Sequence, residues 1–149
     1  MIDVEVEDLA WTAAVPAAEA LVRQAAEAVL AHEGRTGEGV TVLLADDEAV
    51  AELNIRFRGK AGPTNVLSFP AAENPERHLG DIALASGVCL REAQEQGKSP
   101  AHHLQHLVAH GVFHLLGYDH MTDSEAEVME GLERVILTEL GAPDPYGAG

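Results

Sequence analysis

Cysteine is nearly absent from this chain of 149 residues: Cys89 stands alone. An internal disulfide is therefore excluded, and the cytoplasm is the expected compartment. Long apolar runs are missing too. No stretch approaches the roughly 20 apolar residues of a membrane span, and the N-terminal MIDVEVEDLAWTAAV lacks the basic opening of a signal peptide. Internal repeats and low-complexity linkers are also lacking. Basic residues are scarce: nine Lys and Arg stand against 25 Asp and Glu, a net charge of -16. That balance argues against loose, charge-driven binding of nucleic acid, though it leaves room for a local basic groove.

What is present is concentrated. Hydrophobic residues make up 46% of the chain, enough for a packed core. The length suits one domain, residues 1–149, around one core. Three of the nine basic residues lie in RFRGK, as Arg56, Arg58 and Lys60, and six of the eight histidines lie between His102 and His120. Both clusters are local, so a local function is expected.

The pattern predicts four strands and five helices. IDVEVED alternates and reads as a strand over 2–8. Pro16 opens an alanine-rich amphipathic helix that ends near Gly34. GVTVLLAD, 39–46, is a β-branched strand. Asp46 and Asp47 are placed to cap a helix that stops at Gly59. KAGPT reads as a loop, NVLSFP and LGDIALA (79–85) as strands, and AAENPERH as the loop between them. SGVCLREAQEQG forms a helix with Cys89 on its buried face. Ser99-Pro100 caps the next helix, which runs to about Leu116 and ends at Gly117. Thr122-x-x-Glu125 is a capping box for the last helix, ending near Gly141. The order β-α-β-α-β-β-α-α-α implies an α/β fold, a small mixed four-stranded sheet with helices packed around it.

HGVFHLLGYDH, 110–120, carries the chemistry. His110 and His114 are four apart on a helix and share a face. Gly117 can take the left-handed conformation that turns the chain, bringing His120 to the same point. Three histidines with one open position is the donor set of a catalytic zinc, one ion per chain. Asp119 is either a fourth ligand or a partner that points away. His106 shares the face of His110 and is placed to support it. His102, His103, His32 and His78 read as ordinary surface residues. The spacing is that of a zinc peptidase, but the residue after the first histidine is Gly111, where such an enzyme has its glutamate base. A site of this kind suits a phosphodiester, provided that a cation such as arginine neutralises the anion. A glutamate placed at 111 is expected to leave the metal in place, since that position need not supply a ligand.

With LNIRFRGKAGPTNVLSFP (53–70), LGDIALA, EAEVMEGLE (125–133) and GAPDPY, this motif resembles the YbeY family of bacterial endoribonucleases, over most of the chain. The resemblance implies a metzincin-like α/β fold and zinc on His110, His114 and His120. It puts the active-site arginine at Arg58. It also implies action on single-stranded RNA in 3′-end maturation of small-subunit (16S) rRNA and in ribosome quality control, with the small subunit or its proteins as partners. One departure is Asn65, where the family usually has Asp; a usual acidic residue is also missing at Ala61 and Gly62.

Read alone, Arg58 is an exposed helix end; the resemblance gives it the catalytic role. Arg56, Lys60 and Ser68 are candidates for RNA contact. Ser68 alternates with Leu67 and Phe69 and so can line a cleft. Asn65 is expected to bond a loop or cap its strand. Glu125, Glu127, Glu130 and Glu133 read as the solvated face of the last helix. Two rival functions stand beside the nuclease. One is a ribosome-assembly factor with mainly structural zinc, favoured by the acidic charge. The other is a metzincin-type zinc peptidase, favoured by the spacing and opposed by Gly111.

Overall fold

A computed structural model describes residues 1–60 and 64–146, so the expected readings at Ala61 and Gly62 lie outside the described residues. Four strands, β1 (Ile2–Val6), β2 (Gly39–Ala45), β3 (Val66–Pro70) and β4 (His78–Ala85), form one sheet in the order β1-β2-β4-β3. The pairs β1–β2 and β2–β4 are parallel, and β3–β4 is antiparallel. The expected small mixed sheet is therefore present. β2 is apolar almost throughout because helices cover it on both sides. Alternate strand residues point to opposite faces. Val42, Leu44, Ile82 and Leu84 join the larger core, while Ala45, Leu67, Ala83 and Ala85 join a smaller one.

The helices are α1 (Ala10–Ala14), α2 (Ala18–His32), α3 (Asp47–Arg58), α4 (Ser86–Glu95), α5 (Pro100–Leu115) and α6 (Asp123–Glu139). α2 buries Val22, Ala25, Ala26 and Val29, one stripe of an amphipathic helix, in the larger core. Three caps form as the sequence predicts. Asp46 accepts from the Ala49 N–H, Ser99 accepts from the His102 N–H, and Thr122 with Glu125 makes a capping box. Gly59 closes α3 at a φ of 66°.

Two details differ from the sequence reading. Residues 10–14 form a helix that no cap announces: its N-cap is Leu9, with no side-chain bond. Trp11 holds it instead, fully buried, its indole Nε1 donating to the Ala45 carbonyl at 3.1 Å. And α2 begins at Ala18, because Pro16 and Ala17 belong to a turn in which the Ala18 N–H bonds the Val15 carbonyl. Cys89 is buried as expected; burial and the Glu92 carboxylate push its thiol well above the ordinary range, so it packs rather than reacts. No helix among the described residues is long and apolar enough to cross a membrane.

α5 is the element that positions the site. It packs against α2, α4 and α6 and against strands β3 and β4. Its last turn therefore comes to rest beside the sheet's edge strand.

Candidate functional site

The last turns of α5 present His110 and His114, whose rings stand 4.6 Å apart. Their Nε2 atoms approach to 3.1 Å. Gly117, at a φ of 102°, turns the chain back after Leu116. His120 then arrives with its ring 5.3 Å from His110 and 5.0 Å from His114. One nitrogen of each lies within 4.8 Å of the others. Two nitrogens on one tetrahedral ion stand about 3.3 Å apart, given bonds of about 2.0–2.1 Å. The cluster is of the right size to close on a zinc. Burial and the neighbouring His110 and His120 imidazoles hold the His114 pKa below its ordinary value. A neutral ring with a free lone pair is the form a metal takes. Asp119 is not in the converging set; its carboxylate accepts from the His120 N–H at 2.8 Å.

Behind the cluster lies a carboxylate. Glu133, from α6, is fully buried, which corrects its expected place on a solvated face. His110 Nδ1 donates to Glu133 Oε2 at 3.0 Å. His106 Nε2 and the Tyr146 hydroxyl both donate to Oε1, the latter at 2.6 Å. Burial raises the Glu133 pKa, but the bonds from His106, His110 and Tyr146 outweigh it and bring the group to about 2. With Nδ1 committed to Glu133, His110 turns its Nε2 toward His114. That fixes the tautomer, as partners of metal-bound histidines do. His106 thus supports His110 through Glu133 rather than by touching it. Of the other acidic residues, Glu125 serves the capping box and Glu127 is exposed.

His103 is likewise not a surface residue. It is 4% exposed, and its Nε2 meets Glu92 Oε1 at 3.0 Å. Burial holds its pKa below the ordinary value. Glu92 also receives Asn65 Nδ2 at 3.1 Å, while Asn65 Oδ1 accepts from the Val66 N–H at 2.7 Å. Asn65 therefore caps its strand, as expected. An aspartate there would set a second negative charge against Glu92, so the amide fits this chain better than the acid.

A cavity of about 470 Å³ opens in front of the histidines. Arg58, at the end of α3, and Ser68, on β3, line it together with His110, His114 and His120. Ser68 Oγ donates to the Gly111 carbonyl at 3.2 Å, tying the strand to α5. Arg56 and Lys60 are exposed but do not line this cavity; Arg56 pairs with Glu52 at 3.3 Å. The sequence thus brings one of its three basic candidates to the site.

Gly111 is required by packing. A Cβ there would meet Ile82 Cδ1 at 2.9 Å, Cγ2 at 3.1 Å and Cγ1 at 3.3 Å. A glutamate at 111 would therefore have to displace the Ile82 side chain, a packing cost that the expectation of a retained metal did not include. The signal for Glu133 was present but unread. It lies four residues after Met129 and three before Ile136, both buried, so it sits in the apolar stripe of α6.

Comparison with known proteins gives the chain a family. The family model described as Endoribonuclease YbeY matches residues 4–141. The Endoribonuclease YbeY of Maricaulis maris is 51% identical over 146 residues, covering 97% of this chain and 91% of that protein. The one from Rhodopseudomonas palustris (strain ATCC BAA-98 / CGA009) is 49% identical over 154 residues, covering 97% and 80%. The solution structure of TM1509 from Thermotoga maritima superposes with a TM-score of 0.61 at 26% identity, covering 99% of this chain and all of that one. With half its residues shared across nearly its whole length, the chain belongs to the endoribonuclease YbeY family.

Proposed function

We propose that this chain, residues 1–149 as one catalytic domain, is a zinc-dependent endoribonuclease that cuts single-stranded RNA. The observation that carries the reading is the shared cavity: a cation, Arg58, faces three converging imidazoles across a space large enough for a phosphodiester. His110, His114 and His120 would hold one zinc on a metzincin-like helix, and the ion would supply Lewis acidity toward a phosphate oxygen. Arg58 is the catalytic residue from the protein. Its planar fork pairs with the phosphate oxygens as negative charge builds up on them. Glu133 keeps His110 turned toward the cavity. Ser68 lies where it can donate to the RNA, and Arg56 and Lys60, both exposed, are further candidates for contact with it. The attacking oxygen comes from water or from the RNA 2′-hydroxyl; a 2′,3′-cyclic phosphate end is the mark of the second route.

The family resemblance extends the proposal to 3′-end maturation of small-subunit (16S) rRNA and ribosome quality control in the cytoplasm, with the small ribosomal subunit or its proteins as partners. The net charge of -16 favours one alternative, an assembly factor that meets basic ribosomal proteins and whose zinc is mainly structural. A metzincin-type peptidase is disfavoured further, since any side chain at 111 would press on Ile82. The deciding experiment is cleavage of a labelled single-stranded RNA by the purified chain beside its His114→Ala form, with zinc measured in both. Cutting by the native chain alone supports the nuclease; equal cutting by both forms, or by neither, returns the assembly factor.

A further inference from the structure

The cavity in front of the histidines does not end at Arg58. It shares Arg58, Ser68 and Pro70 with a groove of about 550 Å³ at the free edge of β3, which reaches Phe57, Phe69 and His78. That groove in turn shares Ala71 and His78 with a second of about 550 Å³, bordered by Arg35, Asn74 and Arg77. Three depressions thus follow one another through shared lining residues. The series begins at the metal ligands and finishes at two arginines.

The chemistry along the path changes in a definite order. Phe57 is 62% exposed and belongs to neither core cluster. Its ring meets Phe69 edge-on, with centroids 5.5 Å apart. An aromatic pair of this kind, beside an arginine, is a platform on which a nucleic-acid base stacks. Farther on, Arg35 and Arg77 share one carboxylate, Glu38, whose side chain is 8% exposed while theirs are 43% and 64% exposed. Two guanidiniums stand over one sunken carboxylate, and the exposed Glu73 borders the same groove, so the charges there balance while both guanidiniums stay open to solvent. His78 Nε2 meets Asp81 Oδ1 at 2.9 Å on the middle groove. The loop that carries Arg77 is held in shape. Asn74 Oδ1 accepts from the His78 N–H, Asn74 Nδ2 donates to the Ala72 and His78 carbonyls, and Arg77 sits at a φ of 56°. In a chain of net charge -16, a groove whose guanidiniums equal its carboxylates is a local exception, and it repels an anion less than the acidic surface elsewhere.

We infer that single-stranded RNA leaves the histidine cavity over Phe57 and Phe69, where a base stacks, and that its backbone continues to Arg35 and Arg77. This rests on the nuclease reading and adds to it a binding subsite outside the cleavage centre. A duplex does not suit the path, because its base faces are already stacked. A protein partner is disfavoured because the aromatics run into the cleavage cavity at one end and into phosphate-binding arginines at the other.

The test uses the zinc-loaded full chain in excess over a labelled 12-nucleotide single-stranded RNA, with the cleavage rate followed as enzyme concentration rises. Phe57→Ala is expected to raise the half-saturating concentration about tenfold, and Phe57→Trp to restore it. Arg35→Ala and Arg77→Ala are each expected to raise it too. Each should also flatten its dependence on the logarithm of salt concentration by about 0.7. All three residues are exposed or half-exposed, and melting curves check that the variants fold. Native half-saturation in Phe57→Ala and in the Arg35→Ala/Arg77→Ala double variant would overturn the path and leave the nuclease standing. No cleavage by the native chain would remove the nuclease reading, and the path with it. A change in sedimentation of Phe57→Ala with unchanged RNA kinetics would overturn the path by making the aromatic patch a contact between copies.

Discussion

Along α5, two histidines of the first half, His103 and His106, and the two of the second half meet opposite surroundings. His103 and His106 are buried, and each gives Nε2 to a carboxylate, Glu92 or Glu133, while its Nδ1 has no partner among the described residues. His110 and His114 are only half-buried and turn Nε2 toward a cavity. His110 belongs to both systems, with Nδ1 on Glu133 and Nε2 at the cavity. A histidine-rich helix is thus not a metal site along its length. A ring becomes a ligand where one nitrogen is fixed by a neighbour and the other is left facing open space.

The comparison is broken most severely by exchanging a residue of the second half. His114→Ala leaves two donors, so the purified variant should lose most of its zinc by elemental analysis, and its RNA cleavage should drop to background. His103→Gln should keep both. A metal-free His103→Gln would mean that the two halves are one system.

Arg58→Ala is the next largest effect. It should keep its zinc and melt near the native temperature, since an exposed substitution usually changes stability by about 0.5 kcal/mol or less. Its single-turnover cleavage should fall about 10²-fold or more, as when a donor to a transition-state anion is lost. Arg58→Lys should restore part of this, because an ammonium carries the charge without the paired geometry. Native cleavage by zinc-loaded Arg58→Ala would remove the arginine from the reaction.

Glu133→Gln tests the link between the halves. Loss of the carboxylate releases the His110 tautomer, and zinc affinity should weaken about 10- to 100-fold in a chelator competition. Unchanged affinity would show that Glu133 serves folding alone.

The smallest effect concerns His103 and acid. Burial lowers its pKa, opposed by Glu92 and assisted by His106 and Lys98. The folded chain therefore holds the ring neutral at pH values where the unfolded chain, near 6.5, already binds a proton. Its contribution is present above about pH 6.5 and is lost as the pH falls below that. His103→Gln should cost about 0.5–1.5 kcal/mol at pH 7.5 for the weakened bond to Glu92. The gap to the native chain should narrow on acidification. Parallel melting profiles from pH 7.5 to 5.5 would contradict the assignment.

Much of this was legible in the order of residues, and the rest failed for identifiable reasons. The caps at Asp46, Ser99 and Thr122, the glycine turns at 59 and 117, and the four strands are local signals, readable within a few positions. The histidine motif spans 11 residues, and the structure brings its three rings together. Glu133 and His103 were misread because periodicity shows which face of a helix a residue occupies, not what the fold brings opposite. Glu133 reaches His110 across 23 residues, and His103 reaches Glu92 across 11. α1 was missed because Trp11 holds it by a tertiary hydrogen bond to Ala45, which no capping pattern announces.

The contact between Gly111 and Ile82 also bears on how such a chain can change over generations. The glutamate of a zinc peptidase would have to enter where Ile82 already lies. A lone mutation at 111 overfills the joint between α5 and β4, and a lone mutation at 82 hollows out the core, so each step is unfavourable before the other is made. A lineage carrying this pair meets a packing obstacle to acquiring that glutamate, although His110, His114 and His120 are spaced as a peptidase's ligands are.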